Sequence, residues 1–233
     1  MNYIMAYMAS YVSSLNSVFQ PIQFFRGSSQ YYSGVTFKIY RIKVYTDELC
    51  TGSTLNANEK KICESYLDAV TYLNYASLDD YSNYCLSYIF TARDFSDGTL
   101  GLAWVASNTG SVGGFCEKQA SVKGVLKSLN NGMVTILNYN SRVPELVTQI
   151  TVAHEVGHSF GSEHDPEGSC SPGGSSGNYL MYSRAVSGNK QNNLLFSSCS
   201  VDQMGTIFQF VVENKFCFEC KFYFYNFCFS YKF

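Results

Sequence analysis

Charge is sparse in this chain and histidine is sparser. Its 233 residues hold 16 Lys or Arg against 18 Asp or Glu, a charged fraction of 15% with a formal net charge of -2. No basic excess exists to hold a phosphate backbone, so no nucleic-acid partner is expected. No run of eighteen or more apolar residues occurs, which excludes a hydrophobic membrane-spanning helix within the chain. The residues after Met1 lack a basic segment ahead of an apolar one, so no secretion signal is legible. Asn-x-Ser/Thr acceptors for N-glycosylation are missing as well.

Cysteine, by contrast, is plentiful. Nine cysteines with no four-cysteine knuckle fit an oxidising compartment, and the odd count leaves at least one without an internal partner. A secreted-type composition without a leader suggests a stretch taken from a longer product. The length suffices for one sizeable alpha/beta domain with its own core.

Read in order, Asn2 to Phe19 places Ile4, Tyr7, Met8, Tyr11, Val12, Leu15 and Phe19 at steps of three and four, which predicts an amphipathic helix limited by Pro21. Val35 to Tyr45 alternates apolar and basic residues and predicts a strand with a bulge near Tyr40. Asp47 to Asn58 reads as turn. Asn58-Glu59 opens a helix through Ile62, Leu67, Val70 and Leu73. Short strands are expected at Cys85 to Thr91, Gly101 to Val105 and Met133 to Leu137, with turns at Asp97-Gly98 and Asn108 to Gly114. Tyr139 to Val143 is a loop, and Pro144 sets the start of a helix over Glu145 to Phe160. Strands alternating with helices predict a mostly parallel sheet under a helical layer. Asp165 to Gly177, rich in Gly, Ser and Pro, should be irregular, and a Cys170–Cys199 pair would hold it. Phe or Tyr fills 12 of the last 26 residues without clear periodicity, and Cys217-x-x-Cys220 lacks the strand-helix context of a redox motif.

All three histidines fall between positions 154 and 164, in His-Glu-Val-Gly-His-Ser-Phe-Gly-Ser-Glu-His. Residues four apart share a helical face, so His154 and His158 can turn to one zinc ion. Glu155 between them is placed to hold a water as general base. Gly161 lets the chain reverse through positive φ, bringing His164 as third ligand. A structural zinc site would close its fourth position with a protein ligand, often cysteine, and this motif has none.

This motif, followed by Asn178-Tyr179-Leu180-Met181-Tyr182, resembles the metzincin metalloproteases of the adamalysin, or ADAM, type. Tyr84 to Phe90, Leu100 to Val105, Gly114 to Lys118, Asn178 to Gly188, Asn192-Asn193 and Phe196 to Ser200 are similar to its Kuzbanian-type sheddase branch. The resemblance runs over about Asn2 to Val201. It implies a metzincin-like alpha/beta fold with a mostly parallel twisted sheet, the zinc helix at a cleft and a loop-rich C-terminal subdomain. Residues 1–201 would be the catalytic domain, lacking the family's first strand. Within it, residues 1–161 would form an upper subdomain and 162–201 a lower one; 202–233 would be a divergent aromatic tail.

The resemblance further implies one zinc ion and polypeptide substrates, membrane-protein ectodomains above all. The parent protein would carry a prodomain and a disintegrin-like domain and work at the cell surface or outside the cell. Met181 would be the floor beneath the histidines. Gly101, Leu102, Ala103, Trp104 and Val105 would form the edge strand that takes the substrate, and Tyr182, Ala185 and Val186 would line the pocket after the scissile bond. Cys116 would pair with Cys217, and Cys85 would lose its family partner unless Cys50 or Cys63 replaces it; those two could instead pair with each other. The competing expectation is a catalytically silent binding module or decoy that keeps the motif without a competent cleft.

Overall fold

The structure is a computed structural model, and it describes residues 2–27, 30–107, 113–214, 219–223 and 226–230. The first helix, α1 (Asn2–Phe19), is where its periodicity put it, and it buries Tyr11, Leu15 and Phe19 at successive steps of four. A hairpin follows, β1 (Phe24–Gly27) against β2 (Gln30–Tyr32), which sequence periodicity did not signal because each strand is at most four residues long.

The strand expected over Val35 to Tyr45 does not form. Val35 and Phe37 do turn to the core, as alternation required. The backbone at Phe37, however, pairs with a helix side chain: its N–H donates to Asn16 Oδ1 at 2.6 Å and its carbonyl accepts from Asn16 Nδ2 at 3.1 Å. A backbone satisfied in this way needs no ladder at that point.

Asp47 to Asn58, read as turn, contains α2 (Asp47–Thr51), whose Leu49 N–H is capped by the Thr46 hydroxyl at 3.2 Å. The single helix expected from Asn58 to Leu73 is two: α3 (Ala57–Lys61) and α4 (Ala69–Ala76). Two caps divide it. Asn56 and Glu59 form a capping box at the start of α3, and Asp68 accepts from the Thr71 N–H at the start of α4. Between them the carbonyls of Ile62 and Ser65 accept from the Arg93 guanidinium, so the break is satisfied from a distant segment. A Cys50–Cys63 disulfide closes this region, with Cα atoms 5.7 Å apart.

Next come β3 (Ser87–Thr91), β4 (Gly101–Ala103), β5 (Ala120–Val122), β6 (Val125–Lys127), β7 (Asn131–Thr135), β8 (Leu137–Asn138) and β9 (Ser141–Arg142). The main sheet has the order β3-β7-β4, with β3 parallel and β4 antiparallel to the fully buried β7. Its parallel share is thus smaller than expected, because the short β4 runs against β7 as an edge. Tyr139 to Val143, read as loop, includes the β8–β9 hairpin turn, where Tyr139 and Asn140 both take positive φ, as a two-residue turn of this kind requires.

The long helix α5 (Glu145–Ser159) packs on β4, β7 and α1. The last helix, α6 (Ser198–Asn214), crosses the boundary drawn at Val201 and buries Met204, Ile207, Phe208 and Val211 at helical steps. Beyond it, β10 (Glu219–Tyr223) and β11 (Asn226–Ser230) pair as a hairpin inside the aromatic stretch read as aperiodic.

The core is aromatic and sits behind the end of α5. Phe160 stacks on Phe115 with centroids 4.1 Å apart and meets Phe19 of α1 at 5.2 Å. Phe208 of α6 stacks on Phe24 at 5.1 Å in the same cluster. Burying one such ring contributes roughly 1.5–3 kcal/mol, so the C-terminal end of α5 is clamped by α1 on one side and α6 on the other. Helices with small sheets around this core make a mixed alpha/beta fold consistent with the metzincin class.

Candidate active site

The end of α5 carries the motif. His154, Glu155 and His158 lie on the helix, and the helix stops at Phe160 in a Schellman arrangement. The Gly161 N–H donates to the His158 carbonyl at 2.8 Å and the Ser162 N–H to the Gly157 carbonyl at 3.0 Å. Gly161 has φ +95, a left-handed conformation, and a Cβ there would run into Ile207 of α6. Only glycine fits both demands. The chain reverses there and returns His164 to the helix: the ligand-capable atoms of His154, His158 and His164 all lie within 4.8 Å of one another.

The ring orientations suit a metal. His154 Nδ1 is 2.8 Å from the Leu180 carbonyl oxygen, and His158 Nδ1 is 2.7 Å from the Ser162 carbonyl oxygen. A carbonyl can only accept, so each Nδ1 carries the proton and each Nε2 keeps its lone pair. His154 Nε2 and His164 Nε2 stand 3.3 Å apart. Burial, with His158 nearby, pushes the His154 pKa down to about 3, and burial lowers that of His158. Both rings are therefore neutral at physiological pH, the form that binds a cation. Three converging imidazoles, two of them with Nδ1 protons tied to carbonyls, are a donor set that fits zinc.

Glu155 is buried, 5% exposed, and burial raises its carboxyl pKa to about 8. It packs on the sheet edge: a Cβ on Gly101 of β4 would lie 2.5 Å from Glu155 Oε1. Gly101 is thus the residue that leaves room for the carboxylate. Leu102 and Ala103 continue β4, which among the described residues pairs with β7 on one side only. The chain leaves the strand at Trp104, whose N–H donates to the Asn131 carbonyl at 3.3 Å and whose indole N–H donates to Ser77 Oγ at 2.9 Å; half-buried Val105 follows.

Met181 is fully buried beneath α5. A Cβ on Gly157 would stand 2.5 Å from Met181 Sδ and 2.9 Å from Phe196, so this glycine admits the thioether to the underside of the zinc helix. Met181 also accepts from the Asp165 N–H through its carbonyl at 2.8 Å, which links the floor to the residue after His164. Tyr182 and Val186 are half-buried and Ala185 is exposed. Their segment is held against α5 at Gly188, where a Cβ would meet Leu146 and Ile150 at 2.7 and 2.8 Å.

Cys170 and Cys199 are bonded, with Cα atoms 6.3 Å apart, which ties the irregular 166–178 segment to the first turn of α6. Cys116 is disulfide-bonded, and Cys217, its expected partner, lies outside the described residues. Cys85 Sγ lies 3.8 Å from Cys116 Sγ, and burial pushes its thiol pKa up to about 11.

Other residues of the site were not legible from the sequence. Tyr88 OH and Ser159 Oγ are 2.8 Å apart, bridging β3 to α5 one residue past His158. Asp165 is buried, and its Oδ1 accepts from Ser200 Oγ at 2.7 Å and from Ser197 Oγ. The only local signal was Ser197-x-x-Ser200 at a helix start, where the Ser200 N–H donates to Ser197 Oγ at 3.1 Å as an N-cap contact.

The metallopeptidase family M12B, reprolysin-like, matches residues 16–209. This chain belongs to that family. Its metallopeptidases use zinc and act on polypeptides. The chain is 39% identical over 228 residues to the human disintegrin and metalloproteinase domain-containing protein 10, covering 91% of this chain and 28% of that protein. Against the Caenorhabditis elegans homologue of protein 10 the identity is 38% over 218 residues, covering 91% and 23%. The homologue of protein 17 from the same worm is 30% identical over 218 residues, covering 83% and 31%. The chain spans about a quarter of the length of the protein 10 relatives. Among the described residues, no helix is long and apolar enough to cross a membrane.

Proposed function

We propose that this chain is the catalytic unit of a zinc endopeptidase, with His154, His158 and His164 as metal ligands and Glu155 as general base. The convergence of the three histidines within 4.8 Å, with Glu155 one residue from the first, carries the reading. Bound zinc supplies Lewis acidity that acidifies a water and polarises the scissile carbonyl. The remaining work belongs to the side chains. Glu155 accepts the proton of the attacking water and delivers it to the leaving amine. Burial opposes its charge, and a neighbouring divalent cation favours the carboxylate form it needs as a base. No serine or cysteine has a nucleophilic role.

The outer edge of β4, Gly101 to Ala103 with Trp104 and Val105 beyond it, would take an extended peptide as an added strand. Tyr182, Ala185 and Val186 would wall an apolar pocket for the residue after the cut, and Met181 supports the ligands from below. Within a full-length parent, this activity would release membrane-protein ectodomains outside the cell, beside a prodomain and a disintegrin-like domain. The names of the relatives, disintegrin and metalloproteinase domain-containing proteins, support the disintegrin-like neighbour in that wider reading.

The reading is tested with a quenched peptide bearing an apolar residue after the scissile bond. Cleavage should stop with a zinc chelator and return when zinc is restored; cleavage indifferent to chelation would overturn it. Gly101→Ala gives a second test. The added Cβ would stand 2.5 Å from Glu155 Oε1, so the carboxylate must shift while the three imidazoles stay. Turnover is expected to fall by about 100-fold at unchanged zinc content, since a misplacement near 1 Å costs that much. Unaltered kcat in Gly101→Ala would show that Glu155 does not act from this position.

A further inference from the structure

His154 and His158 are fixed twice, by the α5 backbone and by Nδ1 contacts to carbonyls, whereas His164 is itself exposed and belongs to no helix or strand. A third ligand on a loose segment would hold a metal poorly, so the restraint must come from elsewhere. It comes from α6 on both sides of the histidine. Before it, the Glu163 N–H donates to Gln203 Oε1 at 2.9 Å, and Ser162 Oγ lies 3.5 Å from the same oxygen. After it, Asp165 Oδ1 accepts from Ser197 and Ser200 at the start of α6.

We propose that Gln203 is a positioning residue for the metal centre, holding the Ser162–Glu163 peptide so that the second and third histidines point at one ion. This inference rests on the zinc reading above. The same short peptide serves both ligands: the Ser162 carbonyl meets His158 Nδ1 at 2.7 Å, and Glu163 immediately precedes His164. One amide oxygen on α6 therefore restrains the acceptor that orients His158 and the backbone that carries His164. The base beneath it is firm, since Met204 is fully buried and Gly205 is buried against the β1 backbone. Gln203 touches neither substrate nor metal; it acts through Ser162 and Glu163.

The test measures zinc release from the full 233-residue chain into excess metallochromic chelator, with the visible spectrum of the cobalt(II)-substituted protein alongside. Gln203→Met keeps the side-chain length and removes the acceptor oxygen. It should release zinc about 10-fold faster, the lower end of what outer-shell contacts contribute, and should alter the cobalt ligand-field bands. Gln203→Glu retains an oxygen acceptor and should stay within about twofold of wild type. Val211→Ala, a cavity in the same helix away from the histidines, controls for general loosening: it should lower Tm without accelerating release. Wild-type release and spectrum in Gln203→Met would overturn the inference, and so would equal acceleration in Val211→Ala. A wild-type chain that binds no zinc would sink the zinc reading and this inference with it; a zinc-loaded wild type with an indifferent Gln203→Met would sink the inference alone.

Discussion

Glu155→Gln is expected to lower kcat/KM for a peptide substrate by about 100- to 10,000-fold, the range of positioned acid–base groups, while the chain still binds zinc. The amide keeps the size of the carboxylate and fits against Gly101, where the space is set by a 2.5 Å approach to any Cβ. It cannot accept a proton. The imidazoles are untouched, since His154 and His158 take their orientation from the Leu180 and Ser162 carbonyls. Metal content and turnover should therefore separate in this variant. Cleavage by the Gln protein at a rate near wild type would remove Glu155 from the chemistry. Loss of zinc together with activity would mean that its carboxylate holds the site together.

Gly161→Val is expected to produce the largest loss of stability. At φ +95 a β-branched residue is strained by roughly 1–3 kcal/mol. Its Cβ also enters the space of Ile207 on α6, an overpacking worth about another 1–3 kcal/mol. The sum, roughly 2–6 kcal/mol, is a large fraction of a domain's usual stability of about 5–15 kcal/mol. Tm should fall by about 4–24 °C at roughly 2–4 °C per kcal/mol. The same residue makes the reversal that returns His164, so zinc affinity should fall with it. Calorimetry on the zinc-loaded chain checks this; a Tm within about 2 °C of wild type would show that the loop has another way to turn.

The site was more legible in the sequence than the fold around it. Three histidines at spacings of four and six, with a glycine between the second and third, carry their own geometry, because a helical turn and a positive-φ reversal are local events. α1 and the start of α5 were readable for the same reason: a 3.6-residue period and Pro144 act within a few residues. The failures were of another kind. The pattern at Val35 to Tyr45 is that of a strand, yet the Phe37 backbone went to Asn16, 21 residues earlier. Arg93 satisfies the break between α3 and α4 from about thirty residues away.

The ties from Gln203 to Glu163 and from Ser200 to Asp165 span 40 and 35 residues. No local period encodes such partners, so Asp165 was read as part of an irregular stretch and Gln203 as part of the divergent tail. The α6 stripe of Met204, Ile207, Phe208 and Val211 was periodic, but the dense Phe and Tyr that follow hid it.

Zinc K-edge X-ray absorption on the stoichiometrically loaded chain would test the metal assignment most directly. Three histidine nitrogens at about 2.0–2.1 Å with one further light oxygen scatterer are expected, the open coordination of a catalytic centre. A sulfur shell at about 2.3 Å would place cysteine on the metal and mark a closed structural site, contradicting the peptidase reading.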